Sequence, residues 1–259
     1  MANPPLEKQF GALPEVGAGT DAALTQAQTP VVMGADDAMT IGGTSAKTAF
    51  LLILVLGAGA WGWSLVDPAV PGSGLPGWWF FLALGVLGLA ILTAFKPQLA
   101  IITGPLYALT QGVAIGTISR LYESQFEGIV LQAIMATAAV FFVMLVLFVT
   151  RAIKVTDRLR GVIIGATLGI MLFYLASFVL SLFSVSIPLV WDSGPVGIGF
   201  SVLIVGIAAF NLMLDFDLIE RGVQARAPKF MEWFGAFALM VTIIWLYIEI
   251  LRLIGKARN

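Results

Sequence analysis

Long apolar stretches without charged residues alternate with short polar breaks from Thr48 almost to the end of the chain. The hydrocarbon core of a bilayer is about 30 Å thick and takes about 20 apolar residues in a helix. Seven stretches come close to this length, so the pattern predicts seven membrane-spanning helices. Their predicted bounds are Thr48–Val66, Pro76–Phe95, Leu99–Ser119, Gly128–Thr150, Gly161–Ser184, Ser193–Asp217 and Phe230–Leu251.

The first 46 residues differ from the rest of the chain. They are rich in Ala, Gly, Thr, Pro and acidic residues and have no sustained apolar period. Such a segment cannot bury enough apolar surface to fold, so we expect residues 1–46 to form a disordered tail and residues 47–259 to form the transmembrane domain. The tail lacks the basic and apolar regions of a secretory signal.

Composition supports an all-α integral membrane protein. Of the 259 residues, 59% are hydrophobic and only 11% are charged, whereas a soluble domain carries about 25% charged residues. The shortfall is explained if most of the surface faces lipid, which makes the bilayer the first expected partner. The net charge of −1 leaves no basic surface for nucleic acid, which we exclude as a partner.

The residue types present exclude several kinds of chemistry. The chain has no cysteine and no histidine, so it lacks thiol nucleophiles, thiolate metal sites and the usual switch for pH near neutrality. A response to pH would therefore depend on a carboxyl group. The sequence contains no H-E-x-x-H, G-x-S-x-G or P-loop pattern. We expect neither an enzyme nor a bound cofactor.

The distribution of basic residues predicts the orientation in the membrane. Short cytoplasmic loops carry an excess of Lys and Arg. With seven spans, ten basic residues collect on the side of the N-terminus and four on the other side. This predicts a cytoplasmic N-terminus and an external C-terminus. The basic C-terminal residues do not fit the rule: either the last span is half re-entrant, or these residues do not outweigh the other ten.

Two glycine stripes predict close helix packing. Gly161, Gly165 and Gly169 recur every four residues, as do Gly112 and Gly116. Small residues at this spacing lie on one face and allow helices to approach closely. Packing within the bundle is the favoured interpretation over a dimer interface.

Asp215 and Asp217 are the leading candidates for function. They follow a 22-residue stretch without charge, Ser193–Leu214, and an ionisable group at bilayer depth costs about 2.5–3.5 kcal/mol on insertion scales. Because they lie two residues apart on a helix, their side chains point about 200° apart. One is expected to face the bundle interior, and the other a loop, the interface or a neighbouring helix. In the alternative interpretation the run DFDLIER is an interfacial helix end with its charges in water.

Two acids and one base complete the candidate set. Glu232 and Glu249 lie on span 7 and could line one water-filled path with Asp217, or Glu232 could cap the span and Glu249 could pair with Arg252. Lys96, at the tight break between spans 2 and 3, is expected on the same side as Asp217. It could neutralise a carboxylate there or serve as an ordinary positive anchor.

Several segments together resemble the Bax inhibitor-1/YccA-like (transmembrane BAX inhibitor motif) family, in its bacterial branch with a long N-terminal tail. They are LMLDFDLIERG, WLYIEILRLIGK, GPLYALTQGVAIGTISRLYE, GIVLQAIMATAAVFF and IGF. The resemblance covers about residues 40–256 and is specific in combination, although no single motif is diagnostic.

The resemblance implies a seven-helix bundle with a central last helix. It also implies a pH-sensitive cation leak, chiefly of calcium, controlled by an aspartate pair on spans 6 and 7 with a basic residue from span 2. The span-6 aspartate falls on Asp217, which follows Phe216, and the basic residue on or near Lys96. The expected span-7 position is Thr242, which is not an acid; Glu249 lies seven residues further along the same helical stripe.

The first functional hypothesis is therefore a passive, proton-modulated calcium or cation leak in the inner membrane of a bacterium. Asp217, Asp215, Glu249 and Glu232 are the candidate proton-sensing residues, and Asp217 is a candidate for transient calcium contact. Calcium takes 6–8 oxygen ligands, so backbone carbonyls or water would have to supplement it. The alternatives are a non-conducting stress-response or scaffold protein with membrane-protein partners, and a proton-coupled secondary transporter.

Overall fold

The computed structural model describes residues 37–67, 77–183 and 193–259. The described part contains seven α-helices and a 3₁₀ turn, Pro97–Leu99, between the second and third. The helices are α1 Ile41–Ser64, α2 Trp79–Phe95, α3 Ala100–Gln125, α4 Ile129–Val149, α5 Asp157–Leu182, α6 Pro195–Gln224 and α7 Met231–Arg258. Most of the predicted tail (residues 1–36), the start of predicted span 2 at Pro76 and the end of predicted span 5 at Ser184 lie outside the described residues.

The predicted all-α membrane bundle is confirmed. Among the described residues, six helices are long and apolar enough to cross a membrane. The remaining helix, α2, is apolar but has 17 residues, which corresponds to about 25 Å of helix. It runs antiparallel to α3, because Thr93 contacts Thr103 (2.7 Å) near the turn and Trp79 contacts Thr117 (3.1 Å) near the other end of α2.

Helices α1 and α6 extend beyond their predicted bounds. Helix α1 begins at Ile41 instead of Thr48, because the Thr40 side chain accepts a hydrogen bond from Gly43 N (2.9 Å) and caps it. Residues 41–47, which the sequence pattern placed in the tail or at its border with the domain, are therefore helical. Helix α6 continues to Gln224, so both candidate aspartates lie inside the helix. After the end of α6, Arg226 has a left-handed backbone conformation (φ 49°). This conformation lets the Ala227 N–H donate a hydrogen bond to the Gly222 carbonyl (2.9 Å), which closes the helix.

Helix α7 is the centre of the bundle, as the family resemblance implies. The apolar stretch of α7 is 67% buried within the protein, compared with 11% of the apolar stretch of α5. It packs against α6, α1, α4 and α3. Its fully buried residues include Met240, Leu246 and Leu251. A substitution on almost any face of α7 therefore meets another helix.

The starts of α1, α3, α5 and α7 lie at one end of the bundle, which we call the N-terminal end. Contacts between sequence-distant residues establish this arrangement: Met39 N donates to Ala227 O (2.7 Å) at this end, and Arg258 Nη1 donates to Glu127 O (2.9 Å) at the opposite end. Nine of the ten basic residues that the sequence assigned to the cytoplasmic side are described, and they lie at the N-terminal end. The tenth, Lys8, lies outside the described residues. The cytoplasmic position of this end stays a prediction.

One of the two glycine stripes packs helices together. A Cβ atom at Gly112 would lie 2.6 Å from Val55 O, and a Cβ at Gly116 would overlap the backbone of Gly59. These glycines let the backbones of α1 and α3 touch, which confirms the predicted role of the Gly112/Gly116 stripe.

The other stripe does not pack within the bundle. Nothing lies within 4 Å of a Cβ built at Gly161, Gly165 or Gly169, and all three glycines are exposed. The prediction that this stripe packs inside the bundle is wrong. The sequence spacing identified a face of small residues correctly but could not identify which face of α5 turns toward α6.

Candidate functional site

Asp215 and Asp217 point in different directions, as their spacing on α6 predicted. Asp217 faces α5, where its Oδ2 is paired with Arg160 Nη2. Its Oδ2 also lies 3.0 Å from the Nε of Arg221, one turn further along α6. Asp217 is itself buried, but Arg221 is half exposed. Asp217 is thus a buried carboxylate with two cationic partners, whereas the interfacial interpretation of the DFDLIER run placed its charges in water.

Asp215 lies in a different environment. The hydroxyl of Thr242 on α7 lies beside its carboxyl group. Its Oδ2 is buried and has no hydrogen-bond partner among the described residues. The neighbouring Leu212 and Met213 are fully buried. Asp215 is only partly buried as a residue, but it is the acid of α6 whose carboxyl group faces α7 and has a buried oxygen. Burying a polar oxygen without a partner costs free energy, about 1–3 kcal/mol for a neutral group and more for a charged one.

Glu232 joins the starts of α1 and α7. Its Oε1 accepts hydrogen bonds from the backbone N–H (2.9 Å) and the hydroxyl (2.8 Å) of Thr40. Its Oε2 is paired with Lys47 Nζ. A Cβ at Gly43 would overlap the carboxyl group, so the missing side chain there creates the space that Glu232 fills. The sequence alternative had Glu232 cap its own span, whereas in the structure it contacts Thr40, the N-cap residue of α1.

Because Glu232 is 1% exposed, its charge-assisted hydrogen bonds are expected to stabilise the fold. Glu232→Gln should lower the free energy of unfolding by about 1–3 kcal/mol, since it removes the charge that Lys47 and Thr40 contact. Chemical denaturation in detergent micelles measures this change. The matched control is Glu220→Gln, whose pair with the exposed Arg151 is expected to contribute at most about 1 kcal/mol. Equal losses in the two variants would contradict this role of Glu232.

Glu249 lies near the opposite end of α7. Arg252 Nη1 contacts its Oε2 at 2.9 Å, one helical turn away. The hydroxyl of Tyr174 on α5 donates to its Oε1 (3.0 Å), as does Trp245 Nε1 (3.3 Å). The proposed alternative of a Glu249–Arg252 pair is therefore observed. The pair also attaches α5 to α7, because Arg252 Nη1 contacts the Tyr174 hydroxyl as well (2.5 Å).

The four candidate acids thus occupy separate places and do not form one cluster. Glu232 and Glu249 are 17 residues apart on α7, which is about 25 Å along the axis. The described residues contain no group of three or more His, Cys, Asp or Glu side chains able to hold a metal ion.

Lys96 is exposed in the turn between α2 and α3, and no ion pair of the described part includes it. The basic partners of Asp217 are Arg160 and Arg221 instead. The position of Lys96 fits the alternative of an ordinary positive anchor.

Sequence reasoning did not identify Arg160, Tyr174 or Thr40 as parts of these sites. A signal exists for two of them. Arg160 is the last charged residue before the apolar stretch of α5, and Tyr174 is a phenolic group inside that stretch. A buried hydroxyl in an apolar helix needs a hydrogen-bond partner, which the acids on neighbouring helices supply.

A comparison with models of protein families assigns the chain to one family. A family model described as Bax inhibitor 1 like matches residues 7–259. The chain belongs to the Bax inhibitor 1-like family. No curated protein sequence matches the chain. The family and the apolar helices together identify a multi-pass membrane protein in contact with the lipid bilayer.

The contact between Asp215 and Thr242 can be compared with the site that the family resemblance implies. The resemblance implies an aspartate pair between spans 6 and 7 and places its span-7 member at Thr242. In the structure, the acid of α6 that contacts Thr242 is Asp215, whereas Asp217 turns toward α5. Thr242 places a hydroxyl group beside the α6 acid but adds no second negative charge.

Proposed function

We propose that this Bax inhibitor 1-like protein is a passive cation leak of the bacterial inner membrane, with calcium as its chief permeant ion and Asp215 as its proton-sensing group. The observation that supports the proposal most strongly is the buried Asp215 Oδ2, which has no hydrogen-bond partner among the described residues. An ionisable group of this kind within a membrane bundle marks an ion or proton pathway more often than a structural contact.

The two protonation forms of Asp215 favour different arrangements of α6 and α7. A neutral carboxyl group can stay in the packed interior with the Thr242 hydroxyl as its partner. An ionised carboxylate in the same place has one oxygen without a donor, so it favours an arrangement that admits water or a cation. A cost of about 2.5–3.5 kcal/mol for the charge corresponds to a shift of about 100-fold between two conformations. Acidic pH therefore favours the closed state and higher pH favours the conducting state.

The other three candidate acids have contacts that suit a structural role rather than proton sensing. Asp217, Glu232 and Glu249 each have a cationic partner in the structure, so these acids serve as structural ties between helices. Two of these ties, Arg160–Asp217 and Tyr174–Glu249, attach α5 to α6 and α7. Because α5 buries little of its surface, these polar contacts are well placed to hold a mobile helix in the closed state.

Calcium would pass such a path with mostly backbone and water ligands. It takes 6–8 oxygens, and the described acids do not gather into a group of three. A transient contact with Asp217 would first require the release of Arg160 and Arg221.

Calcium flux into liposomes containing the purified protein tests the proposal. Flux above that of empty liposomes, rising from about pH 5 to about pH 8 and following the calcium gradient without saturation, is the expected result. Flux equal to that of empty liposomes at every pH would overturn the proposal and leave the scaffold alternative. Saturable flux driven by a proton gradient would instead favour the transporter alternative.

A further inference from the structure

We propose that the groove between α1 and α4 binds one anionic phospholipid, with an acyl chain along the groove and the phosphate beside Arg120. The groove has a volume of about 610 Å³. Helices α1 and α4 form its walls, and α3 and α7 form its floor. Leu56 on one wall and Ile134 and Phe142 on the other are exposed, so the groove is open sideways to the bilayer.

The hydroxyl groups in the groove already have partners within the protein. Ser119 Oγ and Tyr247 OH share a hydrogen bond of 2.7 Å. Thr137 donates to the Ala133 carbonyl (2.7 Å) and Thr48 to the Thr44 carbonyl (2.9 Å). Apart from the indole N–H of Trp63 at one end, the rest of the lining is apolar. An occupant therefore gains from apolar burial and finds no unsatisfied polar group along the groove, which favours a hydrocarbon chain.

The dimensions of the groove fit an acyl chain. Its lining on α1 extends from Thr48 to Trp63, which is about 22 Å of helix. The acyl chains of one leaflet span about half of the 30 Å hydrocarbon core. A single chain can therefore lie along the groove with its head group at the Trp63 end.

A cation without a carboxylate partner lies at that end. The Arg120 guanidinium is 5.1 Å from the centre of the Trp63 ring, and no ion pair among the described residues includes Arg120. The acid nearest in sequence, Glu123, is occupied by the backbone N–H groups of Gly128 (2.6 Å) and Val130 (3.0 Å). Guanidinium groups bind phosphate oxygens through charge-assisted hydrogen bonds. Trp63 is also of the residue type that lies at the head-group level of membranes. An apolar groove ending at such an arginine matches a phospholipid with net negative charge.

Native mass spectrometry of the purified full-length protein, with added phosphatidylglycerol or phosphatidylcholine, tests this site. The wild type is expected to retain one phosphatidylglycerol with about ten-fold or greater preference over phosphatidylcholine. Ala138→Trp fills the groove and should lose the bound lipid. Ala139→Trp is the matched control, because Ala139 is exposed on the same helix but does not line the groove. This variant should keep the lipid.

Arg120→Gln separates the head group from the acyl chain. This variant should retain a lipid but lose the preference for phosphatidylglycerol, and it keeps the inference testable if Ala138→Trp does not fold. Equal lipid binding by the folded Ala138→Trp and Ala139→Trp proteins would overturn the site. So would a wild type without head-group preference, an unchanged preference in Arg120→Gln, or binding of free fatty acid alone.

Discussion

Asp215→Asn is expected to remove the rise in calcium flux between about pH 5 and about pH 8 and to keep flux low at every pH. Asparagine has nearly the shape of the neutral acid and can accept the Thr242 hydrogen bond, but it cannot ionise. At the upper end of this range, flux should fall by about 100-fold relative to the wild type, the factor that corresponds to a charge-burial cost of about 2.5–3.5 kcal/mol. Flux assays on liposomes with equal protein content measure the change.

Two variants on the same helix make this result specific. Glu220→Gln removes a carboxylate that pairs with Arg151 at the surface, and it should retain the rise with pH. Asp217→Asn removes the acid that pairs with Arg160. If Asp217→Asn abolished the rise while Asp215→Asn preserved it, the sensing group would be Asp217, as the family resemblance placed it. If both variants retained the wild-type profile, neither aspartate would be the sensor.

Gly116→Ala is expected to destabilise the protein by about 3 kcal/mol, the upper part of the usual range for overpacking. The added methyl group would overlap the Gly59 backbone, so α1 and α3 would have to separate along their interface. For a chain of this length the loss corresponds to a fall of about 10 °C in melting temperature. Thermal unfolding in a fixed detergent measures it.

Gly165→Ala supplies the matched control for this substitution. Gly165 is also a helical glycine in a small-residue stripe, but nothing lies within 4 Å of its Cβ position. Alanine is favoured over glycine in a helix by about 1 kcal/mol, so this variant should be unchanged or slightly more stable. Equal destabilisation of both variants would show that the α1–α3 contact is not unusually close.

The sequence predicted properties that depend on one helix and left undetermined those that depend on two. The 200° separation of Asp215 and Asp217 follows from helix geometry, and the structure confirms that they face different neighbours. The Glu249–Arg252 pair lies within one helical turn, so it could be anticipated. Hydropathy located the spans, but it missed the start of α1 because Gly42, Gly43 and Thr44 interrupt the apolar pattern.

Contacts between helices require their relative rotation, which periodicity does not supply. The sequence therefore did not assign Arg160 to Asp217, Tyr174 to Glu249 or Lys47 to Glu232. The same uncertainty explains the exposed glycine stripe of α5: its residues share a face, but only the position of α6 determines whether that face is covered. Asp217 was placed at the position of the family aspartate because it follows Phe216, and that local motif does not show which acid of α6 lies beside Thr242.

Infrared difference spectroscopy on the reconstituted protein measures the protonation of Asp215 directly. On acidification from about pH 8 to about pH 5, a carbonyl band of a protonated carboxylic acid should appear over the same range in which calcium flux declines. The band should be absent from Asp215→Asn and present in Glu220→Gln. A wild-type spectrum without this band, or a band that persists in Asp215→Asn, would contradict the assignment of Asp215 as the group that gains and loses the proton.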